Sequence, residues 1–233
     1  MKKFKIAGVS ALAALMLLTG SCSSMTNTGK GALIGGGGGA ALGAGIGALI
    51  GGGKGAAIGS AIGAGVGAGA GALIGNRMEK QKKELEQQLA NSAKIEEVKD
   101  QNGLAAIKVT FDSGILFPTN GTTLSATAKK ELKEFAANIV NNPDTNVQIY
   151  GFTDNTGTMA VNEKVANGRA DSVLSYLANC GVSPTRLSAQ GIPMADYVES
   201  NETAAGRAAN RRVEVYITAD KNMIEKAENG TLS

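Results

Sequence analysis

The chain has 233 residues, room for one or two small domains, and a formal net charge of only +3. It holds 33 glycines, no tryptophan and no histidine. That composition argues against an ordinary enzyme, and a charge this weak, without basic runs interleaved with aromatics, argues against a nucleic-acid partner.

Residues 1–21 read as a signal peptide. Lys2, Lys3 and Lys5 precede an apolar run from Ile6 to Leu18 that is too short for a stable span. The run ends in Leu18-Thr19-Gly20-Ser21-Cys22, which resembles a bacterial lipoprotein box with Cys22 as the lipidated residue. Thr19 stands where such boxes usually carry leucine. The competing reading is an ordinary secretory signal with an incidental cysteine. No aspartate follows Cys22, which by the same resemblance favours the outer membrane, and several acyl chains on one residue anchor firmly. Residues 22–28 are then a lipidated tether. Cys180, just before a helix-ending Gly181, reads as a small buried thiol.

Residues 29–76 place glycine at every fourth position from Gly31 to Gly75, within a tandem duplication whose 24-residue units are 29–52 and 53–76. On a 3.6-residue helix this keeps small residues near one drifting face, the requirement for close helix approach. Lys54 is the only charge between Lys30 and Arg77. One helix through the whole segment would run about 68 Å, far beyond a hydrocarbon core of about 30 Å, whereas each half reaches about 33 Å. A membrane-associated helical hairpin turning near Lys54 is one reading. A soluble or self-packed glycine-rich spacer is the other, because each helical glycine costs about 1 kcal/mol relative to alanine. A homo-oligomer formed through the glycine face follows from the first.

Residues 77–102 are densely charged, with Met78, Leu85 and Leu89 as thin apolar contacts. They predict a solvated helical stalk and spacer, with Glu79 and Lys83 as an i,i+4 pair.

From Gly103 to Phe111 the chain alternates as a half-buried first strand. Ser125 caps a helix running to about Val140, with Leu132, Phe135, Ala136 and Ile139 as its stripe. A strand over Thr145–Tyr150 leads through Gly151-Phe152-Thr153-Asp154-Asn155-Thr156-Gly157 into a helix from about Met159 to Asn179. Such a turn places Asp154 near a helix N-terminus, an end that attracts anions. Asn162 and Arg169, seven residues apart, fall on one side of that helix. A carboxylate and a guanidinium held together suit a zwitterionic ligand. A third strand around Leu187–Gln190, a helical turn near Ala204–Ala209 and a closing strand through Val213, Val215 and Ile217 complete the module, with 220–233 as a tail.

The Thr153-Asp154 turn, Asn162, Arg169-Ala170 and the run from Gly206 to Val215, in that order and spacing, resemble the OmpA C-terminal-like family over residues 103–219. The resemblance implies an α+β, two-layer β-α-β-α-β domain that binds peptidoglycan non-covalently. It further implies that the diaminopimelate of the stem peptide is read by Asp154 through its ammonium and by Arg169 through its carboxylate. Thr153, Asn162 and the Phe111-Asp112 corner are expected as neighbouring contacts, while Asn210, Arg211 and Arg212 are expected mainly to brace the last strand. Phe152 and Val165-Ala166 depart from the family's usual histidine and Leu-Ser. An isolated turn aspartate is more often an N-cap and an isolated helix arginine a solvated face; only the joint pattern argues otherwise. The overall order resembles lipoproteins of the YiaD type.

Two functions are weighed: a tether between outer membrane and cell wall, or a membrane-active glycine-zipper oligomer or channel that its wall-binding domain localises. No nucleophile stands with a base and no paired acids recur, so no catalytic residue, metal ligand or cofactor is expected.

Overall fold

The computed structural model describes residues 66–232 except Asn91, Gln101 and Thr119. The signal segment, Cys22, the tether and most of the glycine repeat lie outside the described residues, as does the expected turn at Lys54.

A five-stranded sheet carries the domain, in the order β1-β2-β5-β3-β4. The strands are β1 (Lys94–Lys99), β2 (Ala105–Asp112), β3 (Thr145–Phe152), β4 (Leu187–Ile192) and β5 (Arg212–Ala219). β3 and β4 run parallel and the other neighbouring pairs antiparallel. The helices are α1 (Ala68–Gln88) before β1, then α2 (Ser113–Leu116), α3 (Ala126–Asn141), α4 (Met159–Asn179) and α5 (Ala204–Asn210) between strands, and α6 (Lys221–Glu228) after β5.

Strand period decides the layers. Ile107, Val109 and Phe111 on β2, Val147 and Ile149 on β3, and Val213, Val215 and Ile217 on β5 all point to the face covered by Leu132, Phe135 and Ile139 of α3 and Val173 and Leu177 of α4. The expected α+β two-layer domain is there, and Gly181 ends α4 with φ +98° as a helix-stopping glycine should. The opposite face holds a second cluster, Tyr150, Phe152, Ile192 and Tyr216. Gly151 and Gly191 let α4 lie close on the sheet. A Cβ on either would stand 2.4 Å from α4 backbone, against Ala166 O and Asn167 N respectively.

The expected stalk over 77–102 is not present. α1 begins inside the glycine repeat and packs along β1, β2, α3 and α6. Ala70, Ile74, Met78, Gln81, Leu85 and Leu89 face inward, at steps of four, four, three, four and four. That is a helix stripe, and it crosses from the apolar glycine repeat into the charged segment, where only Met78, Leu85 and Leu89 of the stripe remain apolar. Buried Gln81 locks the packing by donating from Nε2 to Asn138 Oδ1 of α3 at 3.0 Å. Lys94–Lys99, expected within the stalk, is instead the edge strand paired antiparallel with β2. Its lysines and glutamates suit an edge that must not recruit further strands. A membrane arm ending at residue 76 conflicts with this packing, because Ala70 and Ile74 are buried with the domain core. Among the described residues no helix is long and apolar enough to cross a membrane.

The segment expected as a tail is likewise folded. Asp220 caps α6 by accepting from the Met223 N–H at 2.8 Å, and Met223, Ile224 and Ala227 are buried in the core. The folded unit therefore begins before residue 103 and continues beyond 219.

Candidate functional site

β3 delivers the chain to the site. Beyond Phe152, the Asp154 carboxylate folds the next residues into a turn, with Oδ1 accepting from the Thr156 N–H at 2.8 Å. Gly157, at φ +91°, reverses the chain. Thr158 then caps α4, so Asp154 stands one turn ahead of the helix and is not its N-cap. Asn162 holds this corner from the helix side, donating from Nδ2 to Thr156 O at 2.8 Å and Thr158 O at 3.1 Å. Thr153 accepts from the Met194 N–H at 3.0 Å, fastening the turn to the loop after β4.

Two turns further along α4, Arg169 points back toward the same corner. A cavity of about 570 Å³ is lined by Thr153, Asp154, Asn162 and Arg169 together with Ser113, Phe117, Arg207 and Arg211. Arg169 is only 3% exposed. Its Nε donates to Gly121 O at 3.1 Å and its guanidinium lies 5.4 Å from the Phe117 ring centroid, yet Nη1 has no hydrogen-bond partner. A buried, unsatisfied guanidinium nitrogen is costly and marks a place for an acceptor that the chain does not supply. Burial first, and then the Arg211 charge, pull the Arg169 pKa below the ordinary arginine value, with Asp154 opposing. Arginine stays protonated regardless.

Four of the six expected contacts thus come together, and two do not. Phe111 is fully buried in the core, edge-on to Phe135 with ring centroids 6.0 Å apart. It cannot reach a wall ligand, because strand alternation turns it toward α3. Asp112 accepts from the Gly114 N–H at 2.6 Å and so caps α2. The cavity takes Ser113 and Gly114 from this corner instead.

Arg211 is the residue that sequence reasoning underrated. Its Nη1 lies 2.6 Å from Asp154 Oδ2, while its side chain remains 40% exposed. Its neighbours do brace the strand. Buried Asn210 holds the 198–201 loop through both ends of its amide, and Arg212 lies over Phe152 at 3.8 Å while pairing with Glu214 at 2.7 Å. Alternation offered the one available signal, since Arg212 and Glu214 share a sheet face that the preceding Arg211 does not.

Burial by itself would raise the Asp154 carboxyl, but the Thr156 N–H and the Arg211 guanidinium outweigh it and hold the group below its ordinary 3.8. A carboxyl depressed in the fold contributes stability that is fully present above the unfolded value and lost as pH falls through the folded one. We expect the Asp154 carboxyl to titrate below the ordinary aspartate value of 3.8. A carboxyl carbon NMR titration with its midpoint above that value would contradict the pairing.

Residues 116–211 match the OmpA family model, and residues 1–79 match the YMGG-like Gly-zipper model. "Probable lipoprotein YiaD" of Escherichia coli K12 is 41% identical over 112 residues, 47% of this chain and 48% of that protein. "Peptidoglycan-binding protein ArfA" of Mycobacterium bovis is 34% identical over 113 residues, 48% of this chain and 35% of that protein. The chain therefore spans about half or less of these curated relatives. A MotB-like protein from Desulfovibrio vulgaris has a similar structure, with TM-score 0.56 and 25% identity, covering 65% of this chain and 96% of its own.

Proposed function

Because the chain joins an OmpA-like domain to a YMGG-like Gly-zipper segment, we propose that it is a cell-envelope lipoprotein that binds peptidoglycan without a covalent bond and tethers the outer membrane to the wall. The observation that carries the reading is that buried Arg169 lines one cavity with Asp154 while one of its guanidinium nitrogens has no hydrogen-bond partner. The relative named for peptidoglycan binding supports it.

In this reading the free end of a stem-peptide diaminopimelate enters the cavity. Its carboxylate pairs with Arg169, whose planar guanidinium gives charge-assisted bonds that an ammonium would not reproduce. Its ammonium meets Asp154, whose two oxygens each retain acceptor capacity beyond the bonds they already make. Thr153 and Asn162 shape the site through the turn they hold. One such contact binds weakly, since association must offset lost translational freedom. Many copies anchored at Cys22 and facing one wall raise the effective concentration, so weak sites hold together.

The test is co-sedimentation of the full chain, in detergent, with insoluble diaminopimelate-containing peptidoglycan. Wild type is expected in the pellet and the Asp154→Asn/Arg169→Met double variant in the supernatant. Equal pelleting of the two proteins overturns the site.

A further inference from the structure

We propose that the end of the domain opposite the cavity rests on a lipid surface, with the apolar start of α1 entering the interface and Arg77 and Lys80 meeting anionic headgroups. This rests on the proposed attachment to the membrane and states how the domain stands on it.

Strand register fixes the two ends. Asp112 pairs with Arg212 and Gly151 with Val213, so the cavity residues Ser113, Thr153 and Arg211 gather at one end of the sheet. α1 starts at the other end, where a Cβ on Gly71 would stand 4.0 Å from Leu104 Cδ2, just ahead of β2. It finishes at the cavity end, where Ser92 and Ala93 donate to Leu89 O and Lys94 pairs with Thr110. The 21 residues of α1 thus form a strut about 31 Å long between lipid and cavity.

The starting end of the strut is apolar throughout. From Val66 to Gly75 every residue is Gly, Ala, Val, Leu or Ile. Ala70 and Ile74 turn into the core, which leaves Gly67, Ala68, Gly69, Ala72 and Leu73 exposed, Leu73 by 36%. No side chain caps the helix at Gly67 and no acid stands in its first turn, the partners a helix end in water usually has. Arg77 and Lys80 follow Leu73 on the same side of the helix. Within α1, Lys82 pairs with Glu86 and Lys83 with Glu79, which leaves Arg77 and Lys80 without an acid among the described residues. An apolar tip with a basic collar suits a membrane interface, where long basic side chains reach back to the headgroups.

Charge decides the occupant. The first acid in the chain is Glu79, already paired with Lys83, so residues 1–66 hold nothing that could neutralise Arg77 and Lys80. A second copy docked here about a two-fold axis would set the basic pair against its own equivalents. Lipid phosphates supply the missing charge, and the tip joins the stretch of chain that leads back to Cys22.

The experiment puts a fluorophore on the full lipidated chain, in a Cys180→Ser background, in vesicles of phosphatidylethanolamine and phosphatidylglycerol with brominated acyl chains. The label is carried by Leu73→Cys, by Asn76→Cys beside it, or by Val161→Cys at the cavity end. Bromine is expected to quench the labels at 73 and 76 and to leave the one at 161 unchanged. Replacing Arg77 and Lys80 with glutamine should lower the ratio of docked to undocked chain by about tenfold or more, since each basic residue is worth about fivefold at an anionic surface. The inference is overturned by tip labels that stay unquenched while the chain floats with the vesicles, including a shifted emission that shows protein covering the tip. Equal quenching at 161, or tip quenching unchanged by the two glutamines, overturns it as well. The label at 76 decides where the Leu73 variant folds poorly. A lipidated chain that does not float with vesicles at all sinks the proposed membrane attachment, and this inference with it.

Discussion

A chain cut to residues 103–233 is expected to lose cooperative unfolding, although it contains the whole stretch that resembles a peptidoglycan-binding module. The cut removes α1 and the Leu89 that ends it, and Ile74, Met78, Leu85 and Leu89 are at most 1% exposed within the domain core. Burying one such side chain stabilises by about 1.5–3 kcal/mol, so four contribute about 6–12 kcal/mol before entropy is counted. That is comparable with the whole stability of an ordinary domain, about 5–15 kcal/mol. The cut also strips β1 from β2, leaving a strand with Ile107, Val109 and Phe111 on one side as an open edge. Circular dichroism melts of 66–233 and 103–233 make the comparison. A shorter chain that melts within a few degrees of the longer one would show that α1 merely rests on the domain.

Arg169→Met is expected to destroy wall binding while raising the melting temperature of the free protein. Arg169 is only 3% exposed, and one of its guanidinium nitrogens is unsatisfied. A buried unmet donor costs about 1–3 kcal/mol, and methionine fills similar space beside Phe117 without that cost. The substitution forgoes the Gly121 bond and the contact with Phe117, which are individually smaller than a stranded buried charge. Each kcal/mol gained moves the midpoint by about 2–4 °C in a domain of this size. Stability and function therefore oppose one another at this position, the pattern of a site built for a partner. Calorimetry together with peptidoglycan co-sedimentation reads both signs. A variant that is less stable and still pellets would make Arg169 an ordinary structural residue.

What could be read from residue order alone was whatever depends on near neighbours. Ser125 as a cap, the stripe on α3, the Thr153–Gly157 turn into α4, Gly181 as its stop and the alternation of β5 all rest on contacts a few residues apart. The common placement of Asp154 and Arg169 was legible for the same reason, since one turn and one helix connect them. Three other features depended on the tertiary arrangement. α1 read as two unrelated halves because its stripe crosses from a glycine repeat into a charged run, and only the groove between α3, α6 and the sheet makes the halves one buried face. Phe111 looked like a rim residue until the sheet turned it inward. Arg211 reaches Asp154 over 57 residues because β5 lies beside β3 in the sheet order, a neighbourhood set by strand pairing. Local pattern determines which elements form; which of them become neighbours, and hence which charges meet, is decided only when the whole chain packs around one core.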